Sequence, residues 1–224
     1  MDPVAAPRTE HELLARARAL EGRTLGDIAA ELSASVPDDP VHAKGKLGTL
    51  VERALGADGQ PGKAHDFTAL RVELKTVPVS AEGHPVESTY VCTLSLTDAD
   101  AQEWETSWAR AKLSRVLWVP VDAKPRDWRA RVVRAARLWS PSPDEEATLR
   151  GDFDEIVGII GVGRIEELTA HVGVALQVRP KARDGSVRTR AFGAEGEAIE
   201  TIPRGLYLRT SFTGAILRGL GDDA

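Results

Sequence analysis

Apolar residues recur every third or fourth position in several stretches of the chain, which is the spacing of a helix that buries one face. Helices are predicted to begin at Thr9, Thr24, Lys46, Ser142 and Ser211. Gly22 ends the first predicted helix and Gly56 the third, because glycine readily adopts the left-handed conformation that follows a helix. The fourth helix is predicted to bury a stripe made of Leu149, Phe153, Ile156, Val157 and Ile160.

Other stretches alternate apolar with polar residues, or form short apolar runs between turns, which is typical of β-strands. They are residues 71–79, 87–96, 115–121, 174–178 and 206–209. Helices placed around a mixed sheet predict an α/β fold. Residues 1–8 and 219–224 are expected to be flexible tails on a single domain at 9–218.

The strand predicted at 71–79 carries charged residues at alternate positions. Glu73 and Lys75 would share one face, about 6.5–7 Å apart, and Asp66 would approach from the preceding turn. Two carboxylates offer the hard oxygen ligands that Mg²⁺ prefers, and a neighbouring amine can stabilise charge on a scissile phosphate. The alternative is an exposed strand face with an ordinary ion pair.

Two neighbouring residues could join this candidate site. Glu52 lies off the centre of the apolar stripe of the third helix, so it is either a solvated acid or a third carboxylate directed at Asp66 and Glu73. His65 adjoins Asp66 and is expected to be a solvated loop histidine unless it contacts the metal. The order of helix, polar loop and acid-bearing strand is that of a nuclease core.

Composition narrows the class of protein. The 224-residue chain has a net charge of −5, which argues against a general nucleic-acid coat, and its one cysteine, Cys92, excludes an internal disulfide framework. The N-terminus lacks an apolar leader, and no stretch approaches the roughly 18 consecutive apolar residues that span a bilayer. We therefore expect a soluble protein of a reducing cytosol.

Positive charge is concentrated in two segments of the chain. Nine Lys or Arg residues lie between Arg110 and Arg137, against the acids Asp122 and Asp127. The second cluster surrounds Asp184 and consists of Arg179, Lys181, Arg183, Arg188 and Arg190. Either cluster alone is typical of a solvated face, but both together with a metal-site pattern favour a one-sided DNA cleft.

Six segments, in this order along the chain, resemble the MutH family of mismatch-repair endonucleases and, more distantly, restriction enzymes that cut GATC. They are KGKLGTLVE at 44–52, DFTALRVELKTVP at 66–78, WETS at 104–107, KLSRVLWVP at 112–120, QVRPKA at 177–182 and PRGLYL at 203–208. The resemblance implies a restriction-endonuclease-like core of two lobes that form a DNA cleft. The catalytic lobe would span about 9–106 and the DNA-reading lobe about 107–218.

The same resemblance assigns roles at the active site. Asp66 and Glu73 match the metal-binding acids of the family, and Lys75 matches its catalytic lysine. Glu52 and Lys112 match positions beside that site and are expected to contribute to catalysis.

Other matched positions lie near DNA in this family. Lys44 and Tyr90 match residues beside the DNA, with Tyr90 replacing a phenylalanine, and Tyr207 matches a residue that senses adenine methylation. The matched base-reading loop consists of Arg179, Pro180 and Lys181. The stretch 183–191 is more basic than the family leads us to expect.

The expected function is a Mg²⁺-dependent endonuclease, with Mn²⁺ as a substitute, that nicks the unmethylated strand at hemimethylated GATC. The resemblance also implies a monomer of the bacterial cytosol that is activated by MutL, with MutS acting upstream. One alternative is a stand-alone restriction enzyme that cuts both strands without a partner. Another is a non-catalytic DNA-binding adaptor, against which the intact set of Asp66, Glu73 and Lys75 argues.

Overall fold

A computed structural model describes residues 4–37, 40–60, 62, 64–98, 101–182 and 186–219, with the backbone alone for 40–44. The helices are α1 (Glu10–Leu20), α2 (Leu25–Glu31), α3 (Pro40–Leu55), α4 (Trp108–Leu113), α5 (Pro143–Gly161) and α6 (Thr210–Gly219). The strands are β1 (Glu73–Val79), β2 (Thr89–Thr93), β3 (Val116–Asp122), β4 (Arg137–Trp139), β5 (Leu176–Pro180), β6 (Thr189–Phe192), β7 (Ala198–Thr201) and β8 (Arg204–Leu208). Short 3₁₀ helices cover Trp104–Thr106, Trp128–Ala130 and Ile165–Glu167. The predicted α/β class is confirmed.

Side-chain caps set the starts of three helices as the sequence predicts. The Thr9 hydroxyl accepts a hydrogen bond from the Glu12 N–H at 3.1 Å, and Thr24 accepts one from Asp27 at the same distance. Ser142 takes part in a reciprocal capping box at the start of α5. Each cap satisfies backbone donors that the first turn of a helix leaves without a partner.

Other boundaries differ from the prediction. Helix α3 begins at Pro40 instead of Lys46, which is possible because a proline in the first turn removes only a donor that the helix does not use. Helix α6 begins at Thr210, so Ser211 lies inside it. Helix α4 and strands β4, β6 and β7 were not predicted, since each is shorter than the window over which periodicity is detectable. None of the described helices is long and apolar enough to cross a membrane.

The described chain divides into two compact units, each built from separate stretches. The first contains the described residues up to Glu87, those of Arg115–Ser140 and those from Gly214 onward, and the second contains the rest. The contiguous lobes expected from the sequence stay a prediction. Of the expected tails, residues 1–3 and 220–224 lie outside the described part, whereas Pro7 is buried and the Ala5 carbonyl accepts a hydrogen bond from Arg16.

The first unit holds a mixed three-stranded sheet in the order β1-β3-β4. Strands β1 and β3 are parallel, with Glu73 opposite Val116 and Lys75 opposite Trp118, and β4 runs antiparallel to β3. Helices α1, α2 and α3 pack on one face of this sheet, where Leu74 joins their core. Because side chains alternate along a strand, Glu73 and Lys75 point to the opposite face.

The second unit holds two separate antiparallel sheets. One has the order β2-β8-β5, and the other is the hairpin of β6 and β7. Helix α5 buries Leu149, Phe153, Ile156 and Ile160, while Val157 is only half-buried. The expected strands therefore belong to different sheets and do not form one mixed sheet, because strand periodicity carries no information about which strands pair.

A buried carboxylate on α5 fixes the start of β5. Asp152 is 5% exposed and accepts three backbone hydrogen bonds, from Val174 at 2.8 Å, Ala175 at 2.6 Å and Leu176 at 2.7 Å. A single side chain thus satisfies three consecutive donors where the chain enters the sheet. Sequence patterning did not identify this residue, since it lies on a helix among many other acids.

Asp152→Ala should lower the free energy of unfolding by about 2–4 kcal/mol, because buried N–H groups lose their acceptor. Urea unfolding followed by circular dichroism measures the effect. Asp154→Ala is the matched control, since Asp154 lies on the same helix and forms an exposed ion pair with Arg150. Equal stability of the two variants would show that the Asp152 contacts contribute little.

Candidate active site and nucleic-acid interface

Glu73 and Lys75 form a buried ion pair on β1. The Lys75 amine (Nζ) lies 2.7 Å from Glu73 Oε1, and the two side chains are only 10% and 3% exposed, respectively. A carboxylate and an ammonium both lose hydration on burial, and each offsets that loss for the other only at close range. The pair is therefore not the exposed strand-face ion pair that was the alternative interpretation.

Asp66 is held against the same strand. Its Oδ2 accepts a hydrogen bond of 2.8 Å from the N–H of Leu74, the residue between Glu73 and Lys75. The structure therefore brings together the three residues that the sequence singled out. It does so with two carboxylates and one amine along a single short stretch of backbone.

A tight turn delivers Asp66 to this position. Phe67 and Val72 pair through two backbone hydrogen bonds of 3.0 and 3.3 Å, which close the turn between Asp66 and β1. Arg71 adopts a positive φ of 55° to complete it, and Phe67, 1% exposed, anchors it in the core. The separation of Asp66 from Glu73 in sequence is thus the length of this turn.

The loop after α3 supports the turn from the other side. The N–H groups of Asp58 and Gly59 both donate to the Asp66 carbonyl at 3.0 Å. The Asp58 carboxylate in turn accepts the Thr68 N–H at 2.9 Å and its hydroxyl at 2.8 Å. The hydrogen bond from the Thr68 backbone is the main cause of a lowered Asp58 pKa.

Sequence reasoning missed Asp58 as a supporting residue. The available signal was its type and place, an aspartate in a polar loop directly after a glycine-terminated helix, since short acidic side chains commonly bind nearby backbone N–H groups. That signal could not identify Thr68 as the partner, because the two residues meet only through the tertiary fold.

His65 and Glu52, the two neighbours considered for the site, are both at least partly buried. His65 is only 9% exposed, so the expectation of a solvated loop histidine is wrong. Glu52 is half-buried on α3. Within the described part of the chain, no three His, Cys, Asp or Glu side chains are grouped to hold a metal, so Glu52 does not complete a three-acid cluster with Asp66 and Glu73.

A second group of predicted residues meets on the sheet of the second unit. Tyr90 of β2 and Tyr207 of β8 are directly opposite in register, and their rings make an edge contact with centroids 5.3 Å apart. On the other side of β8, Gln177 of β5 lies opposite Tyr207, and Arg179 of β5 lies opposite Gly205. Residues opposite each other share a face of the sheet, so the tyrosines and Arg179 lie on one surface.

Two cations flank these rings. The Lys181 amine lies 4.0 Å from the Tyr90 ring centroid, and the Arg179 guanidinium lies 6.0 Å from that of Tyr207. Arg179 also donates to the Ser88 hydroxyl at 2.7 Å. Pro180, which lies between Arg179 and Lys181 in sequence, is exposed at the end of β5. Separate segments of sequence therefore converge on one cationic and aromatic surface.

The remaining predicted residues have separate placements. Lys112 is buried in α4, 6% exposed, with its amine 5.2 Å from the Trp108 ring centroid. Lys44 belongs to α3, but its side chain lies outside the described residues, as do Arg183 and Asp184 of the second basic cluster.

Much of the first basic segment is neutralised by neighbouring acids. Ion pairs join its arginines to acids at distances of 2.5 to 3.5 Å: Arg110 to Glu146, Arg115 to Glu10, Arg129 to Asp127 and Arg134 to Asp122. The Arg115 hydrogen bond is the main cause of a lowered Glu10 pKa. The positive charge available to a polyanion is thus smaller than the sequence count suggests.

Comparisons with known proteins agree on one family. Residues 55–152 match a family model described as the DNA mismatch repair enzyme MutH. DNA mismatch repair protein MutH of Escherichia coli K12 is 45% identical over 215 residues, which cover 96% of this chain and 94% of that protein. The MutH proteins of Yersinia enterocolitica and Vibrio cholerae are each 44% identical, covering 96% and 95% of this chain and 95% and 97% of their own lengths.

Asp58→Ala should reduce any metal-dependent cleavage while leaving DNA affinity unchanged, because the loop that positions Asp66 loses both bonds to Thr68. We expect a fall of about tenfold or more, since the loss of even one hydrogen bond of roughly 1.4 kcal/mol corresponds to a factor of ten in rate. Single-turnover cleavage and fluorescence anisotropy measure the two quantities. Asp58→Asn is the matched control, since its amide oxygen still accepts the Thr68 N–H, and equal losses in both variants would contradict the positional role.

Proposed function

This chain belongs to the MutH family, and from that premise we propose that it is a mismatch-repair endonuclease that nicks the unmethylated strand at hemimethylated GATC. The observation that carries the proposal is the convergence of Asp66, Glu73 and Lys75 along one strand. We further propose, on the strength of the family match, that the core is restriction-endonuclease-like and that two lobes, about 9–106 and 107–218, form a DNA cleft.

The donor set at β1 fits Mg²⁺, for which Mn²⁺ should substitute. Asp66 and Glu73 provide hard carboxylate oxygens, one half-buried and one buried. Mg²⁺ typically takes one or two carboxylates together with water and phosphate oxygens, so two acids suffice. When bound, the ion would supply positive charge at the scissile phosphate and lower the pKa of an attacking water.

Lys75 supplies a second positive charge at the same place. Its hydrogen bond to Glu73 fixes the amine beside the carboxylates, so that it can stabilise negative charge as the water oxygen bonds to phosphorus and the ester P–O bond breaks. A group positioned before the reaction needs little reorganisation during it, which favours the transition state. Glu52 and Lys112 are proposed to assist on the strength of the family match.

The cationic and aromatic surface of the second unit is proposed to read the target sequence. Arg179 and Lys181 carry the donors that recognise guanine O6 and N7 in the major groove. Pro180 and Tyr90 would contact the DNA beside them. Lys44 is also proposed to bind DNA, on the strength of the family match alone. Tyr207 would contact the adenine amino group, whose outward hydrogen a methyl group replaces.

Activation is proposed to come from MutL, with MutS upstream, on a monomeric chain of the bacterial cytosol. The test is to incubate hemimethylated GATC plasmid with the protein and Mg²⁺, with and without cognate MutL and ATP. Nicked circles that increase with MutL support the proposal. Linear product without MutL would instead indicate a restriction enzyme, and no cleavage under any condition would indicate a DNA-binding adaptor.

Asp66→Ala should reduce this nicking by about 10³-fold or more, equivalent to about 4 kcal/mol of barrier, while DNA binding survives. Asp66→Asn keeps an oxygen that can accept the Leu74 N–H but loses the charge, so it should also be strongly impaired. Plasmid nicking and electrophoretic mobility shift measure the two properties, with Asp154→Ala as the surface-acid control. Normal nicking by Asp66→Asn would assign the carboxylate a purely structural role.

Tyr207→Phe should narrow the preference for unmethylated over methylated DNA. Its hydroxyl can accept the outward amino hydrogen of adenine, and methylation both removes that bond and introduces a steric contact, each costing about 1–3 kcal/mol. We expect slower cutting of the unmethylated strand and little change for methylated DNA, measured as a ratio of nicking rates. An unchanged ratio with a lower melting temperature would assign Tyr207 to packing alone.

A further inference from the structure

Gly205 lies beneath the point where the aromatic and cationic side chains of the second unit meet. A Cβ atom at this position would stand 3.0 Å from Tyr207 Cε2, 3.2 Å from Tyr90 Cε2 and 3.3 Å from Lys181 Cβ. Each of these separations is shorter than an ordinary van der Waals contact of about 3.5–4.0 Å. Three separate side chains therefore occupy the space that a side chain at residue 205 would need.

The backbone does not require glycine there. Gly205 has no positive φ, and it lies inside β8 opposite Arg179, where any residue could adopt the extended conformation. A glycine in the middle of a strand weakens the strand and commonly marks a close approach of other groups. Its place is explained by the side chains packed over it.

We propose that Gly205 is a specificity-determining positioning residue. Because it has no side chain, the Tyr207 and Tyr90 rings can pack over it, and this packing fixes the position of the Tyr207 hydroxyl. This inference rests on the proposed methyl-sensing function. Tyr207 Cε2 is bonded to the ring carbon that carries the hydroxyl, so a displacement at Cε2 moves the hydroxyl with it.

Two contacts prevent the Tyr207 ring from moving freely away from such a displacement. The edge of Tyr90 packs against it at 5.3 Å between centroids, and the Arg179 guanidinium lies over it at 6.0 Å. Tyr90 is itself held by a 2.9 Å hydrogen bond between its hydroxyl and that of Thr93, and by Lys181 over its ring. A Cβ atom at residue 205 would therefore shift both tyrosine rings and Lys181 by a few tenths of an ångström. A shift of this size in Tyr207 is enough to misalign a hydrogen bond between its hydroxyl and a base.

The experiment compares the rates at which the full chain, with Mg²⁺, cognate MutL and ATP, nicks hemimethylated and fully methylated GATC duplexes. Gly205→Ala should narrow the ratio of the two rates about tenfold, through slower cutting of the hemimethylated duplex, the scale expected for overpacking of a fixed contact. Tyr90→Leu is the second variant, because it removes the ring that buttresses Tyr207 and adds no atom at Gly205. The same narrowing is expected from it.

Gly158→Ala is the matched control, since this exposed glycine of α5 has no atom within 4 Å of the added methyl group, and its ratio should equal that of the wild type. Melting temperatures establish that each variant is folded at the assay temperature. An unchanged ratio in both Gly205→Ala and Tyr90→Leu, with discrimination intact in the wild type, overturns the proposal. Absence of discrimination in the wild type itself would instead overturn the proposed methyl-sensing function.

Discussion

The structure of the candidate active site depends on placing two opposite charges inside a strand. Glu73 and Lys75 are buried between apolar neighbours, where their close ion pair offsets part of the hydration that each group loses. Alternation along β1 makes the arrangement possible, because Leu74 enters the core of α1, α2 and α3 while the charged pair occupies the other face. The same backbone that positions the pair offers the Leu74 N–H to Asp66, so one strand fixes all three groups.

Rigidity of this kind suits chemistry on phosphate esters, where the protein contributes mainly position and electrostatics. The turn between Asp66 and β1 is closed by backbone bonds, anchored by Phe67 and braced by Asp58 from the loop after α3. A carboxylate on a loop would ordinarily sample many positions. Here hydrogen bonds hold the loop on both sides of Asp66, so its carboxylate is positioned by the backbone as a strand residue would be.

Local sequence signals predicted elements well and partners poorly. The caps at Thr9, Thr24 and Ser142 and the charged alternation of β1 are short-range features, and the structure contains each of them. The sheet order, the burial of His65, the ion pairs of the first basic segment and the role of Asp58 all depend on residues distant in sequence. The Asp66, Glu73 and Lys75 set is intermediate. Its spacing could be seen in the sequence, but the spacing pointed to a nuclease site only when combined with the surrounding segments that resemble the family.

The interleaving of the two units has a consequence for how the chain can fold. The polypeptide passes from one unit to the other between Glu87 and Ser88, again between Ser114 and Arg115, and twice more farther along. During synthesis, β1 with its acid and amine emerges before its parallel partner β3. Residues Ser88–Ser114, which belong to the other unit, are made between the two strands. Pairing of β1 with β3, and with it the burial of Glu73 and Lys75 in this sheet, therefore cannot begin before that part of the other unit has been synthesised.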